Sequence, residues 1–161
     1  VLGRTARGVR ALNLEEDDIV VGMVPVMENT TVLTVSENGQ GRRTDPAEYR
    51  LQSRGGKGIK NYDTQKNGPV AGVLAVGEED DVILISDDGI IIRIPVAEIS
   101  TQSRYAGGVR VMRIGEGSRL VSLCRAPHED EEEAAAESEA PAEAETPAEE
   151  TADSTGTPVE E

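Results

Sequence analysis

The residues of this chain best suited to chemistry lie in the run QSRGGKG, Gln52 to Gly58. Two cations, Arg54 and Lys57, flank Gly55 and Gly56, and Gly58 follows. Glycine lets a backbone approach a bound group closely or adopt positive φ, and the cations suit phosphate oxygens. Such a run can cradle a nucleotide, grip a nucleic-acid backbone or simply turn the chain. The nucleotide reading fails on spacing. A P-loop needs Gly-x4-Gly-Lys-Ser/Thr and a following helix whose N-terminus completes the cradle; here Ile59 follows Gly58 and no helical stripe appears. No nucleophile–base pair emerges, because His128 is the only histidine. His128 and Cys124 are each single and cannot make a Cys/His metal set. The acid runs Glu15–Asp18 and Glu78–Asp81 lack the spacing of a calcium loop and read as solvated turns. Cys124, within VSLCR, reads as a buried structural thiol. We therefore assign no catalytic residue, no metal ligand and no cofactor to the chain itself.

The elements that must position QSRGGKG repeat along the chain. Gly8, Gly58 and Gly108 are spaced by 50 residues, as are Arg4, Arg54 and Arg104. Gly39 and Gly89 keep the interval, and so do Ala47–Glu48 with Ala97–Glu98 and Gln52 with Gln102. Gly22 and Gly72 share it, with Ser122 next in register. Each unit divides into short runs rich in Val, Ile and Leu: GVRALNL, IVVGMVPVM, TVLTVS and QGRRT, then GIKNY, VAGVLAVG, DVILIS and IIIRIP. Asn38-Gly39 and Asp88-Gly89 are hairpin signals. Four short strands per unit of this length is the pattern of a propeller-like blade. The expected fold is all-β, with about two and a half units at residues 1–52, 53–102 and 103–127. A propeller closes with ~4–8 blades, so the chain either borrows strands from elsewhere or is the C-terminal piece of a longer protein, which the valine at its first position favours. Open blade edges should then make the isolated chain associate.

Charge divides the chain as sharply. Of 31 Asp and Glu, 14 lie from His128 onward, which leaves 17 against all 16 Lys and Arg. The net charge of −15 therefore belongs to residues 128–161. That segment is rich in Ala, Glu, Pro and Thr and should be a disordered acidic tail. Tethered beside a basic surface, it would compete with a polyanionic ligand. The chain shows neither a secretory signal nor an apolar run long enough to span a membrane, which reads as a cytosolic protein.

The bases gather at equivalent points of the repeat: Arg4, Arg7 and Arg10; Arg50, Arg54, Lys57 and Lys60; Arg104, Arg110 and Arg113. Blades stacked in register would align them as a stripe fitted to a long polyanion. There is no Trp or Phe and there are three tyrosines, so the stacking platforms of single-strand and RNA binders are missing. No recognition helix offers itself to a major groove. Duplex DNA held by its backbone, without sequence preference, fits best. The expected phosphate contacts are Arg4, Arg7, Arg10, Arg50, Arg54, Lys57, Lys60, Arg104 and Arg110, with Gly55, Gly56 and Gly58 admitting close approach. A propeller-type protein-interaction scaffold is the alternative from another class; it would favour an apolar or aromatic hot spot on the rim.

The runs GRTARGVRAL, TVLTVSENGQGRRTDPAEYRLQSRGGKGI, DDVILISDDGIIIRIPVAEIS and AGGVRVMRI, followed by an acidic tail, resemble the C-terminal end of the bacterial DNA gyrase A protein. The resemblance implies a β-pinwheel of propeller-like blades of four antiparallel strands, with strands exchanged between neighbours, wrapping double-stranded DNA on a basic rim. It implies a cytoplasmic, bacterial role in ATP-dependent negative supercoiling, in an assembly of two gyrase A and two gyrase B proteins. The strand-cleaving tyrosine and the sites for ATP and Mg would lie elsewhere in that assembly. The family's box, Gln-Arg-Arg-Gly-Gly-Arg-Gly, is matched by QSRGGKG except that Ser53 and Lys57 replace two arginines; we read it as a later, degenerate copy. The equivalent domain of topoisomerase IV is the alternative within the same class.

Overall fold

The structure is a computed structural model and describes residues 3–128. Seven strands form two sheets: β1 (Thr31–Ser36), β2 (Gln40–Thr44), β3 (Val70–Val76), β4 (Asp80–Ser86), β5 (Ile91–Pro95), β6 (Val109–Arg110) and β7 (Leu120–Pro127). The first sheet has the order β3-β1-β2-β6 and the second β5-β4-β7, with every pairing antiparallel. The fold is all-β and propeller-like, with strands exchanged between repeats. β1 takes β3 from the following repeat as its neighbour, and β4 takes β7 in the same way. The register is shared too: Leu33 faces Leu74, and fifty residues on Ile83 faces Cys124. Even the irregularity recurs, between Val35 and Ser36 in one pair and between Ile85 and Ser86 in the other.

The repeated glycines have physical work. Gly39 and Gly89 close the β1–β2 and β4–β5 turns at φ 74° and 85°, donating to Ser36 O and Ser86 O. Only glycine takes that conformation without strain. Gly22 and Gly72 serve packing instead. A Cβ on Gly22 would meet Val73 Cγ1 at 2.8 Å, and one on Gly72 would collide with Leu123. Each bare backbone thus receives an apolar side chain of the next repeat. Leu33, Val35, Val76, Val82, Leu84, Val96, Ile99, Met112 and Leu120 form the core between the sheets' strands. The paired Ala-Glu motifs become matching 3-10 turns at Pro46–Glu48 and Val96–Glu98. A single turn of α-helix, α1 (Thr64–Asn67), precedes β3.

Several expected strands are absent from the described residues. GVRALNL, IVVGMVPVM and GIKNY form no ladder, and GGVRVMRI contributes only β6. The reason is pairing. Residues 20–26 are the repeat equivalents of β3, whose partner is β1; among the described residues no strand pairs with them. Ile19, Val20, Met23 and Val26 are consequently well exposed. Among the described residues β5 likewise lacks the outer neighbour that β6 gives β2, and Ile90 and Ile91 are exposed. Cys124 is also exposed, contrary to expectation. It lies on the edge strand β7, whose other face carries Leu123 toward Gly72. Apart from His128, the acidic tail lies outside the described residues.

Candidate nucleic-acid interface

The repeat starts that carry the bases are tied to one another by backbone. The QSRGGKG turn lies along residues 11–13: Gly55 N donates to Ala11 O at 2.9 Å, and Asn13 N donates to Gly56 O at 2.9 Å. Asn13 Nδ2 also donates to Gly55 O, and Arg10 Nη1 donates to Asn13 Oδ1. Gly55 and Gly58 hold φ 76° and 82°. Gly8 and Gly108, at the same repeat position as Gly58, both have φ 83°. The turn is therefore an element of the repeat and is held in place by its neighbour. It borders an open groove of about 220 Å³ between Leu12 and Gln52–Gly58.

The structure brings the expected basic residues together in pairs. Arg10 stands by the turn bearing Arg54 and Lys57. Arg104 Nη1 donates to Lys60 O at 2.5 Å, joining the second and third repeat starts. Arg110 is exposed on β6, where it faces Gln40 across the ladder. Arg4, Arg7 and Arg50 are exposed, and among the described residues no side-chain hydrogen bond or ion pair links them to these pairs.

Ion pairing separates the bases into two groups. Among the described residues, Arg4, Arg7, Arg10, Arg50, Arg54, Lys57, Arg104 and Arg110 have no carboxylate partner, and Lys60 alone of the expected set pairs, with Asp63 at 3.4 Å. Four bases outside that set are paired: Arg43 with Glu78, Arg93 with Asp81, Arg119 with Glu37 and Asp87, and Arg125 with Asp80. Of the acids of the second turn, Glu78 and Glu79 are exposed as expected, whereas Asp80 is half-buried and Asp81 buried against bases of the fold. Asp81 is buried, with Arg93 Nε at 2.7 Å and His128 Nδ1 at 2.7 Å. Burial pushes its carboxyl up, but the bonds from His128 and Arg93 outweigh that and hold it below the ordinary carboxylate range.

Sequence reasoning missed Arg42 and Arg43, which lie almost fully buried in β2. β2 is covered on both faces, so adjacent residues are both enclosed. The repeat held a signal: Arg42 aligns with Ile92, an apolar position. Arg42 Nη1 donates to Ala106 O at 2.6 Å and Nη2 donates to Asn61 O, so one guanidinium ties two repeat starts to the sheet. Tyr62 lies 5.3 Å from its Cζ and is buried, while Tyr49 Oη donates to Asn61 Oδ1. Burial raises the Tyr62 phenol, with Ser36 and Arg42 opposing. Both tyrosines are thus engaged within the fold, Tyr49 directly after the Pro46–Glu48 turn and Tyr62 against Arg42. No group of three His, Cys, Asp or Glu among the described residues could hold a metal ion, and no described helix is long and apolar enough to cross a membrane.

Comparison with known proteins places this geometry. A stretch of 58 residues is 52% identical to the DNA gyrase A protein of Staphylococcus epidermidis, covering 35% of this chain and 6% of that protein. Over 57 residues it is 51% identical to the DNA gyrase A protein of Helicobacter pylori, again 35% of this chain and 7% of that protein. The chain thus spans a small part of the curated relatives it matches. A solved DNA gyrase A C-terminal domain superposes with TM-score 0.67 at 32% identity, covering 73% of this chain and 41% of that one. The C-terminal domain of a DNA topoisomerase IV shares the fold, with TM-score 0.69 at 23% identity over 81% of this chain and 42% of that one. The family described as "DNA gyrase C-terminal domain, beta-propeller" matches residues 1–27, 30–76 and 80–123. With the repeats, the exchanged strands and this match in agreement over both sheets, the chain belongs to the DNA gyrase C-terminal domain family.

Proposed function

We propose that the chain binds and wraps duplex DNA through its phosphates, without sequence preference, as the C-terminal part of a gyrase A protein. There it supports ATP-dependent negative supercoiling in an assembly with the rest of gyrase A and with gyrase B. The observation that carries this reading is the division of the bases. Among the described residues, those at the repeat starts have no carboxylate partner, apart from Lys60, while Arg43, Arg93, Arg119 and Arg125 are spent within the fold. Cations set at the glycine-bearing repeat starts suit a polyanion and gain from counterion release. Arg4, Arg7, Arg10, Arg50, Arg54, Lys57, Lys60, Arg104 and Arg110 are the proposed contacts, with Gly55, Gly56 and Gly58 admitting the backbone. The local identity to gyrase A proteins favours this over a topoisomerase IV role.

The test is duplex binding against salt. Each phosphate neutralised contributes about 0.9 to the slope of log K on log salt. Replacing Arg54 and Lys57 by Ala should lower that slope by roughly 2. An unchanged slope removes both residues from the interface.

A further inference from the structure

A small cavity between the second and third repeat starts holds more positive charge than the fold compensates. Arg42 forms its floor and is 1% exposed. Its two terminal nitrogens meet only the oxygens of Ala106 and Asn61, and its Nε is buried with no acceptor. No carboxylate among the described residues pairs with it. Arg104 also lines the cavity: it donates to Lys60 O and to Tyr105 Oη at 2.7 Å, and its Nε is again buried without an acceptor. Lys60 completes the set, and Asp63, the one acid in the lining, already pairs with Lys60. Three cations thus face one carboxylate.

A buried charge is ordinarily paired, because carbonyl dipoles and an aromatic face replace lost hydration only in part. The missing counter-charge at Arg42 therefore points to a group outside the described residues. The cavity measures about 100 Å³. That is enough for a small anion such as one phosphate group. Exposed Lys60 and Tyr105 leave it open to solvent. We infer that this cavity is a phosphate-binding site, with Arg42 as its floor and Arg104 and Lys60 as its walls. The group it takes is either a backbone phosphate of the bound duplex or free inorganic phosphate. Only the first source rests on the function proposed above.

The full chain is titrated with inorganic phosphate by calorimetry at constant ionic strength, with chloride as the balancing anion. Wild type should bind one phosphate saturably, and Arg104→Gln should weaken that binding at least about tenfold. Arg42→Met should abolish it; if that variant fails to fold, Lys60→Gln replaces it and should also weaken binding. No saturable binding by wild type, or equal binding by Arg104→Gln, overturns the site. Duplex binding then separates the sources. A salt slope lowered by about 1 in Arg104→Gln assigns a backbone phosphate; an unchanged slope with lost phosphate binding assigns the free ion. Failure of wild type to bind duplex at all would count against the proposed function and leave the phosphate result standing.

Discussion

Gly39 and Gly89 offer a controlled test of how the repeats hold one another. Both sit at the same turn position, at φ 74° and 85°. Their surroundings differ. A Cβ on Gly89 meets nothing within 4 Å. A Cβ on Gly39 would press into the carbonyl oxygen of Met112 and lie 3.1 Å from its carbonyl carbon. Gly89→Ala should therefore cost only backbone strain, ~1–2 kcal/mol, partly offset by a stiffer unfolded chain worth about 0.4–1 kcal/mol. The net is about 1 kcal/mol. Gly39→Ala carries the same local cost and must also push the third repeat away. Gly39 O accepts from Val111 N at 2.9 Å and Met112 N at 3.2 Å, bonds worth about 0.5–1.5 kcal/mol each. Met112 is buried, so part of the ~2–5 kcal/mol tied to a core methionine is lost as well. We expect Gly39→Ala to cost roughly 3–5 kcal/mol, a large share of the ~5–15 kcal/mol that stabilises a domain. Urea unfolding followed by far-UV circular dichroism gives both numbers. Costs within about 0.5 kcal/mol of each other, below the resolution of mutant additivity, would refute the claim that the third repeat clamps the first turn.

Three further outcomes follow from the same structure. Asp81 is held ionised by Arg93 and His128, so its contribution is full above the ordinary carboxylate range and is lost as pH falls through its lowered pKa. Asp81→Asn should cost about 1–3 kcal/mol at neutral pH and flatten the acid limb of the stability curve; a parallel curve would contradict this. The apolar run with exposed Ile19, Met23 and Val26, and the open edge of β5 at Ile91, should make the chain self-associate, and Met23→Lys with Val26→Lys should reduce that in light scattering; a concentration-independent monomer argues against it. Cutting after His128 should tighten duplex binding if the acidic segment competes for the same cations, and an unchanged affinity leaves that segment a solubiliser.

The repeat was legible because it rests on backbone conformation. Gly8, Gly58 and Gly108 have positive φ at one repeat position, and Gly39 and Gly89 at another, so glycine recurs wherever that geometry recurs. Hairpins and the Val/Ile/Leu strands TVLTVS and DVILIS followed from the same local rules. What local rules cannot supply is a partner. IVVGMVPVM has a strand's composition but no described strand to pair with, and a strand is defined by its ladder. Burial of charge was equally hidden. Asp81 and Arg93 are fixed by a contact across β4 and β5, and Arg42 by two segments 19 and 64 residues away. Cys124 shows the converse: VSLCR reads as core, yet the edge position of β7 turns the thiol outward. The QSRGGKG turn was legible as a turn and as a basic site. Its docking onto Ala11–Asn13 was not, because nothing in the two segments announces that they meet.

The central claim is that the bases of the repeat starts hold duplex backbone. Fluorescence anisotropy of the full chain with two duplexes of unrelated sequence and equal length, over a series of salt concentrations, tests it most directly. The account predicts equal affinities for both duplexes and a linear, steep fall of log K with log salt. Affinity that differs between the duplexes while staying flat against salt would contradict it.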